Sequence, residues 1–335
     1  MQDSLMPKTN IVVTCWNALD YTRVTLERLF TTVRGGYYLT VVDNASTDGT
    51  AKYLQNLEVP ANCRKLTIVT NSKNEGNVGA VNQGYEVSRE LNMHFTCLCN
   101  NDLYFQSGWL ERLENAMIRN EKIGMLGPLR PAYGVKHYQG EPTYLKLKAM
   151  PEGYDWKEEL KIFMGLAVEE FDKAAEKIVI ANGGGLEVLS VPPDALSSCC
   201  VLVRNAAAEK VGWMADPQFD LYGSDDIDLT WSIASEGYDC AMLKDVYVHH
   251  FRSKSIKANG ANQNKLLFDN NHRFFNKWHD TIIKFLQYEM ERGVDLAEAL
   301  SEDNEFWFLF RLNSNVGFWD GKSIVNERVN SKVEA

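Results

Sequence analysis

Short apolar segments alternate with amphipathic helical patterns along the first 130 residues. Four of these segments have the length and composition of buried strands, at residues 11–15, 39–42, 66–70 and 95–99. Between the first two, apolar residues recur at helical spacing, at Leu26, Leu29, Phe30 and Val33. Strands that alternate with amphipathic helices indicate βαβ units. The pattern therefore predicts an α/β fold with a Rossmann-like, mostly parallel sheet flanked by helices.

Polar residues follow the carboxyl end of each of these predicted strands. Asn17, Asp43, Asn74 and Asp102 occupy these positions. Ligands of open α/β sheets bind in the crevice beyond the carboxyl ends of the strands, so one crevice can collect all four side chains. Asn and Asp are also common in ordinary strand-to-helix turns, but their repetition after four strands favours a binding site. Asp102 offers the oxygen ligand that a hard divalent cation prefers.

The regular pattern stops between residues 132 and 190. Residues 154–177 are charged and predicted to be helical, and three glycines follow Asn182. No Lys-Ser or Lys-Thr pair follows these glycines, which argues against a P-loop. We interpret the region as an insertion over the active site.

A strand at residues 198–203 and a helix beginning near Ser224 restore the pattern. Ser224 is the predicted N-cap, and the first turn carries Asp225, Asp226 and Asp228, where carboxylates suit the helix dipole. Helix-terminus acids explain one or two of them, but three in four residues favour a general base within the cluster. On helical spacing, Asp226 lies off the face that the other two share.

Another predicted strand, at residues 241–248, ends at His249 and His250. Two histidines after a strand are often structural or solvated, but a neutral imidazole also completes a metal site. Residues 262–335 are predicted to be mostly helical and aromatic, and we expect them to contribute packing rather than chemistry.

Composition and charge narrow the class of protein. The 335 residues allow one large domain or two, and the formal net charge of -10 argues against a nucleic-acid surface. No apolar run approaches the ~20 residues that span a bilayer, and the N-terminus lacks a signal-peptide pattern. We expect a cytoplasmic protein without a transmembrane segment, which meets the inner face of the membrane if its partner is lipid-linked.

The seven cysteines are predicted to be buried thiols in a reducing compartment. Their odd number and the length of the chain argue against a disulfide framework. Cys97 and Cys99 are expected to point to opposite faces of their strand, which would make them poor candidates for a shared metal.

The sequence resembles the family 2 glycosyltransferases of the GT-A fold. The segments that carry the resemblance occur in the family's order, at residues 11–17, 41–50, 74–82, 99–102, 223–229 and 248–250. Residues 271–278, ending Asn276-Lys277-Trp278, are similar to the tail of the rhamnosyltransferase-like branch. The resemblance covers residues 9–130 and 195–280, and it implies an inverting transfer from a nucleotide-diphosphate sugar to a hydroxyl of a carbohydrate or lipid-linked acceptor.

The resemblance also implies roles for particular residues. Asp43 would contact the nucleotide base, and Asp102 would bind Mg²⁺ or Mn²⁺ with His249 or His250 as a further ligand. Asp226 matches the family's general base. The other residues that we assign to donor binding are Thr14, Asn17, Asn74, Gly79, Asn100 and Asn101, and those that we assign to the acceptor side are Asp225 and Trp213. Asn100 replaces the first Asp of the family's Asp-x-Asp motif and removes one negative charge from the metal site, and Asp225 replaces the more usual Glu.

These assignments divide the chain into four parts. Residues 1–130 form the nucleotide-sugar-binding half of the GT-A domain, 131–194 the insertion, 195–260 the acceptor and catalytic half, and 261–335 the helical extension.

The sequence also bears on three rival functions. A sugar nucleotidyltransferase needs a glycine-rich basic loop after the first strand, where this chain has Thr14-Cys15-Trp16-Asn17. A dinucleotide oxidoreductase needs Gly-x-Gly-x-x-Gly after a strand, and Gly76 and Gly79 do not match that spacing. The alternative from another class is a non-catalytic sugar-nucleotide-binding or scaffold protein of the same fold.

Overall fold

A computed structural model of the chain describes residues 8–130, 156–251, 254–259, 263–296 and 309. The elements in chain order are β1 (Thr9–Cys15), α1 (Leu19–Thr32), β2 (Tyr37–Asp43), α2 (Thr50–Gln55), β3 (Cys63–Thr70), α3 (Gly76–Glu90), β4 (Phe95–Asn100), β5 (Leu103–Phe105), α4 (Trp109–Arg119), β6 (Ile123–Leu129), α5 (Trp156–Met164), α6 (Val168–Ala181), β7 (Leu186–Val188), β8 (Cys200–Arg204), α7 (Asn205–Val211), α8 (Asp225–Ser235), β9 (Asp239–His250), α9 (Lys254–Ala258) and α10 (Gln263–Glu291).

Nine strands of the described residues form one mixed sheet, in the order β3-β2-β1-β4-β8-β6-β9-β5, with β7 paired to β9. β3, β2, β1 and β4 run parallel, and so do β6 and β9. β8 is antiparallel to both β4 and β6, and β5 is antiparallel to β9. The α/β fold with a mostly parallel sheet is confirmed.

Helices cover both faces of this sheet because its central strands bury side chains on both sides. Along β1, Val12 packs with α3 and α8 in one apolar cluster, whereas Ile11 and Val13 pack with α1 and α4 in another. This alternation follows from the two-residue period of a strand. Gly84 of α3 lies directly over β1, where an added Cβ would come within 2.2 Å of the Val12 side chain.

The strands beyond the parallel β3-β2-β1-β4 part of the sheet were only partly predicted. β9 matches the predicted strand at 241–248, but β5, β6 and β7 were not predicted. β5 is only three residues long and directly follows the polar residues Asn101 and Asp102. β6 carries Gly124 and Pro128, residues that weaken a strand pattern.

Residues 156–194 of the predicted insertion contribute α5, α6 and β7, and residues 131–155 lie outside the described part of the chain. α5 and α6 pack Phe163 and Phe171 against Tyr104 of β5 and Tyr247 of β9. Of the predicted C-terminal extension, α10 confirms the helix, and Phe274 and Trp278 pack on Trp231 of α8.

The expectation for Cys97 and Cys99 is wrong. Residues two apart on a strand share a face, and the two sulfur atoms are 3.9 Å apart in the same core cluster. Cys200 of β8 is paired with Cys99 in the register of the two strands, and the three sulfur atoms lie within 4.8 Å of one another. All seven cysteines are buried free thiols, as predicted.

Ser224 occupies the N-cap position of α8 as predicted, but its side chain does not cap the helix. Its backbone is left-handed, and its hydroxyl donates to Asn271 Oδ1 at 2.6 Å instead of accepting from the helix. α2 begins after Gly49, and Asp48 Oδ1 accepts from its first amide, Thr50 N, at 3.1 Å.

Candidate active site

Asp43 is the last residue of β2, and its carboxylate is fully buried at the carboxyl end of that strand. Its Oδ1 accepts a hydrogen bond from Ser46 N at 3.2 Å. Its Oδ2 is buried and has no hydrogen-bond partner among the described residues. An unsatisfied buried acceptor is unfavourable by about 1–3 kcal/mol, so this oxygen is suited to a donor N–H of a ligand. Thr14 lies beside it in the sheet, between Val42 and Asn100 in the strand register.

Asn17 holds the loops after β1 and β2 together. Its backbone N donates to Ser46 Oγ at 2.8 Å, and its Oδ1 accepts from Thr47 N at 2.7 Å. Its side-chain amide donates to Asn259, the residue after α9. The left-handed backbone of Asn17, with φ of 56°, is one that Asn tolerates better than most residues. Asn17 therefore shapes the floor of the crevice around Asp43.

The start of α3 lies against the loop that precedes α8. Asn74 Oδ1 accepts from Gly76 N at 2.8 Å, and an added Cβ at Gly76 would come within 2.5 Å of Leu221 Cα. An added Cβ at Gly79 would come within 2.7 Å of Glu75 Cβ. Gly76 therefore allows α3 to approach Leu221 closely, and a contact between Asn74 or Gly79 and a nucleotide stays a prediction.

Asp102 and His250 form a buried pair between β4 and β9. Asp102 Oδ1 lies 3.0 Å from His250 Nε2, and Asp102 Oδ2 accepts from Lys254 N at 3.3 Å. Asn100 Nδ2 lies 3.3 Å from the same His250 nitrogen. Asn101 is turned away: its amide donates to Asn17 O at 3.0 Å and to Thr22 Oγ1 at 2.9 Å. The carboxylate and the imidazole thus meet at one point, and Asn101 supports the loop around them.

His249 lies on the opposite face of β9 from His250. Its Nε2 is 3.2 Å from Glu159 Oε1, its Nδ1 is 3.2 Å from Tyr247 Oη, and its ring stacks on Phe163 at 4.4 Å. This placement follows from the alternation of side chains along a strand. The structure therefore brings His250, and not His249, to Asp102.

His250 is placed to carry a positive charge when no other cation is present. Burial lowers the pKa of its imidazole, but the Asp102 carboxylate and the Cys199 thiol outweigh that effect and raise the pKa to about 10. The stabilising pairing with Asp102 is therefore present at neutral pH and is lost as the pH rises through that value.

The three carboxylates at the start of α8 have three different sets of partners. Asp225 Oδ2 accepts from Asn77 Nδ2 at 2.7 Å, and burial together with the neighbouring Asp226 charge raises the pKa of Asp225 to about 7. Asp226 is half-buried; burial raises its pKa, while Arg130 and a hydrogen bond from Ser197 act in the opposite direction. The position of Asp226 away from the contacts of its neighbours agrees with the predicted helical geometry.

Asp228 is fully buried and connects α8 to α10. Lys277 Nζ lies 2.7 Å from Asp228 Oδ1, and Trp278 Nε1 donates to the same oxygen at 2.8 Å. Lys277 also pairs with Asp216 at 2.6 Å and lies 5.0 Å from the ring centre of Trp213. Trp213, which we assigned to the acceptor side, is half-buried, and its indole N–H has no hydrogen-bond partner among the described residues.

Two charged residues that complete this region, Arg130 and Lys277, were not predicted as site residues from the sequence. Arg130 follows β6 and is buried, with Nη1 3.3 Å from Cys199 Sγ. Lys277 was interpreted as part of a packing helix, although it holds two carboxylates. The sequence contains a signal for Lys277, because this lysine lies one helical turn from buried aromatic residues. It contains no such signal for Arg130, because β6, the strand that Arg130 follows, was not predicted.

Comparison with known proteins gives one family match. Residues 10–165 match the family described as Glycosyl transferase family 2. No curated protein is significantly similar to the chain. Among the described residues, no helix combines the length and apolarity needed to cross a membrane.

Three solved structures are similar in backbone, each at 14% identity. The mannosyltransferase PcManGT from Pyrobaculum calidifontis, in complex with GDP-Man and Mn²⁺, has a TM-score of 0.53 over 82% of this chain and 64% of its own. GalNAc-T7 with UDP, GalNAc and Mn²⁺ has a TM-score of 0.48 over 73% of this chain and 44% of its own. TarS from S. aureus has a TM-score of 0.48 over 80% of this chain and 40% of its own. The chain thus spans less than two thirds of each, and the similarity to the first shows a shared GT-A-like fold.

Proposed function

We propose that this chain, whose residues 10–165 match the family 2 glycosyltransferases, transfers a sugar from a nucleoside-diphosphate donor to an acceptor hydroxyl with inversion. The observation that carries the proposal is the buried pair of Asp102 and His250, with 3.0 Å between Oδ1 and Nε2. Asp43 and its unsatisfied Oδ2 lie two strands away in the same sheet, at the carboxyl end of β2. A donor with a base at one end and a diphosphate at the other would bridge two such positions.

Asp102 and His250 suit a divalent cation. A carboxylate oxygen and an imidazole nitrogen that already converge are a donor set that Mn²⁺ accepts, and Mg²⁺ is the alternative that keeps more water ligands. PcManGT, which shares the fold, is described in complex with GDP-Man and Mn²⁺. A bound cation would neutralise the charge that develops on the leaving diphosphate. Asn100 lowers the negative charge of the site by one relative to the Asp-x-Asp pattern.

The protein's own side chains have separate tasks in this proposal. Asp43 accepts an N–H of the nucleotide base, with Thr14 and Asn17 forming the surrounding wall. Asp226 accepts the proton of the acceptor hydroxyl, which then attacks the anomeric carbon from the side opposite the diphosphate. Asp225 and Trp213 contact the acceptor. Attack from the opposite side inverts the configuration at the anomeric carbon.

The organisation of the chain is proposed to follow the same division. Residues 1–130 bind the donor, 131–194 are an insertion over the site, 195–260 bind the acceptor and supply the base, and 261–335 extend the fold. The similarity of residues 271–278 to the rhamnosyltransferase-like branch suggests a deoxyhexose donor as the first to test. A lipid-linked acceptor would bring the protein to the inner face of the membrane.

The proposal is tested with a panel of UDP-, GDP- and dTDP-sugars in the presence of Mn²⁺. A true donor at about 100 times its Kd stabilises the folded protein by about 2.7 kcal/mol, which appears as a rise in Tm. The same donor should be hydrolysed slowly without an acceptor, releasing nucleoside diphosphate. Stabilisation without any release or transfer would instead identify a non-catalytic sugar-nucleotide-binding protein.

Asp43→Asn is expected to weaken the binding of free nucleoside diphosphate and the binding of the sugar donor by the same factor. The change keeps the shape but removes the charge from a buried acceptor, and a hydrogen bond to a charged group contributes about 1.5–3 kcal/mol, or roughly 10–150-fold in Kd. Calorimetric titration of both ligands measures the effect. Asp48→Asn is the control, because Asp48 caps α2 and its loss should leave both Kd values nearly unchanged. An unaltered Kd for the diphosphate in Asp43→Asn would remove Asp43 from the nucleotide site.

A further inference from the structure

Three buried thiols converge on one face of the sheet. Cys97 and Cys99 belong to β4 and Cys200 to β8, and the three residues are 0%, 2% and 1% exposed. All of them lie in the apolar cluster on the face that α1 and α4 cover. None has a role in the proposed sugar transfer, so their convergence calls for a separate explanation.

The pairing of β4 with β8 brings the three sulfur atoms together. Cys99 lies directly opposite Cys200, and the adjacent pair is joined by a hydrogen bond from Asn100 N to Cys199 O at 2.8 Å. Hydrogen-bonded and non-hydrogen-bonded pairs alternate along an antiparallel ladder, so Cys99 and Cys200 form a non-hydrogen-bonded pair, in which side chains are closer. Cys97, two residues earlier on β4, shares their face. The cluster therefore follows from the strand register.

The distances between these sulfur atoms match those of a thiolate metal site. Sγ of Cys97 and Sγ of Cys99 are 3.9 Å apart, and all three sulfur atoms lie within 4.8 Å of one another. A metal–thiolate bond is about 2.3 Å long, so two sulfur atoms of a trigonal site are roughly 4 Å apart. One cation between the three sulfur atoms would therefore reach all of them after small side-chain rotations.

Three sulfur ligands without a fourth partner favour one kind of cation. Thiolates select soft ions, chiefly Cu⁺, Zn²⁺ and the iron of Fe–S clusters. Structural Zn²⁺ sites are almost always four-coordinate, and Fe–S clusters are held by four protein ligands. Among the described residues, no histidine, carboxylate or further cysteine adds a ligand atom to this group. Cu⁺, which accepts three sulfur ligands, therefore fits the cluster best.

A Cu⁺ ion held by thiolates leaves a negative charge in the apolar interior, which is unfavourable unless a nearby group compensates it. Arg130 supplies a buried positive charge at the start of β8. It is 6% exposed, and its Nη1 lies 3.3 Å from Sγ of Cys199, the residue directly before Cys200. Because a guanidinium keeps its charge at physiological pH, this compensation is present whether or not the cation is bound.

We propose that Cys97, Cys99 and Cys200 form a three-coordinate site for a soft monovalent cation, Cu⁺, that links β4 to β8. These two strands join the parallel part of the sheet to the antiparallel part. An ion that binds the folded chain and not the unfolded one stabilises the fold, so the site acts on the strand that leads into Asp102. The proposal does not depend on sugar transfer.

The first test titrates Cu⁺ into the full-length protein without oxygen, with ascorbate as reductant and in competition with a chromophoric Cu⁺ chelator. Because the sulfur atoms are buried, the titration is repeated on protein refolded with Cu⁺ present. By at least one route the chain should retain one Cu⁺ and show a higher Tm, and X-ray absorption should show three sulfur neighbours at about 2.3 Å. Retention of no Cu⁺ by either route, or binding through nitrogen or only two sulfur atoms, overturns the proposal.

The second test removes the thiols one at a time. Cys97→Ala, Cys99→Ala and Cys200→Ala should each weaken Cu⁺ binding by at least about 10–100-fold, since even residues outside the ligand shell have effects of this size. Cys199→Ala and Cys240→Ala are the matched controls, because both remove a buried free thiol outside the group, and both should retain Cu⁺.

The neighbouring cysteines of β8 give the sharpest comparison. If Cys199→Ala loses Cu⁺ while Cys200→Ala retains it, the ion lies elsewhere and the proposal fails. If Zn²⁺ at equal concentration displaces Cu⁺ from the wild type, the choice of ion is overturned. Should a variant of the cluster fail to fold, the number of sulfur neighbours in the wild type still decides.

Discussion

Asp226→Asn is expected to slow sugar transfer by about 10²–10⁴-fold, the usual effect of losing a general base, which is roughly 3–5 kcal/mol of barrier. The amide keeps the shape of the side chain and one acceptor oxygen, but it cannot accept the proton of the acceptor hydroxyl. Asp226 has its own contacts, to Ser197 and Ser198, so its neutralisation should leave the donor site intact. Single-turnover rates with donor and acceptor, together with the donor Kd, measure the two effects separately.

Asp228→Asn is the matched control, and Asp225→Asn, which changes a proposed acceptor contact, is the second control for the place of the base, because all three carboxylates stand in the first turn of α8. Asp228 is fully buried and paired with Lys277 and Trp278. Asp228→Asn should lower the free energy of unfolding by about 1–3 kcal/mol, more than the ~0.3–1 kcal/mol of an exposed helix-terminus charge, with a smaller effect on transfer. If Asp226→Asn keeps near-normal kcat while either control abolishes it, the base lies elsewhere in the cluster.

The pattern of apolar segments was enough to predict the parallel part of the sheet. β1, β2, β3 and β4 are buried runs that alternate with amphipathic helices, and this alternation leaves few topologies. The antiparallel part was harder to predict, because β5 and β7 are three residues each and β6 contains Gly124 and Pro128. Pairings of such short strands depend on neighbours that are distant in the chain.

Asp43 and Asp102 were predicted as site residues because they follow strand ends, and Asp226 because it lies in the first turn of a helix, but the residues that contact them were not predicted. Arg130 lies at the end of a strand that the pattern did not predict. The role of Lys277 depends on α10 packing against α8, which brings residues about fifty positions apart into contact. Local sequence carries no information on such contacts.

The alternation of side chains along β9 places His249 and His250 on opposite faces of the strand, although the sequence alone kept both as candidate metal ligands. In the register of β5 and β9, His250 lies opposite Leu103 and His249 opposite Tyr104. Their side chains point to opposite faces, and Asp102 contacts His250. The same rule, applied correctly, would have placed Cys97 and Cys99 on one face from the sequence.

His250→Ala and Asp102→Ala are expected to weaken Mn²⁺ binding by at least about 10–100-fold, since even residues that only orient a metal ligand have effects of this size. His249→Ala should leave Mn²⁺ binding nearly unchanged, because its ring nitrogens contact Glu159 and Tyr247. It should instead lower Tm, since the ring stacks on Phe163 within a buried cluster.

Mn²⁺ binding is measured by electron paramagnetic resonance of the free ion, with and without the nucleoside diphosphate, so that the result does not depend on turnover. Transfer by the wild type should stop in EDTA and resume when Mn²⁺ or Mg²⁺ is added. In Asp102→Ala, the residual activity should no longer respond to added metal, because the carboxylate that would hold the cation is gone. If His249→Ala loses Mn²⁺ while His250→Ala retains it, or if EDTA leaves the wild type fully active, the assignment of Asp102 and His250 as the metal site is wrong.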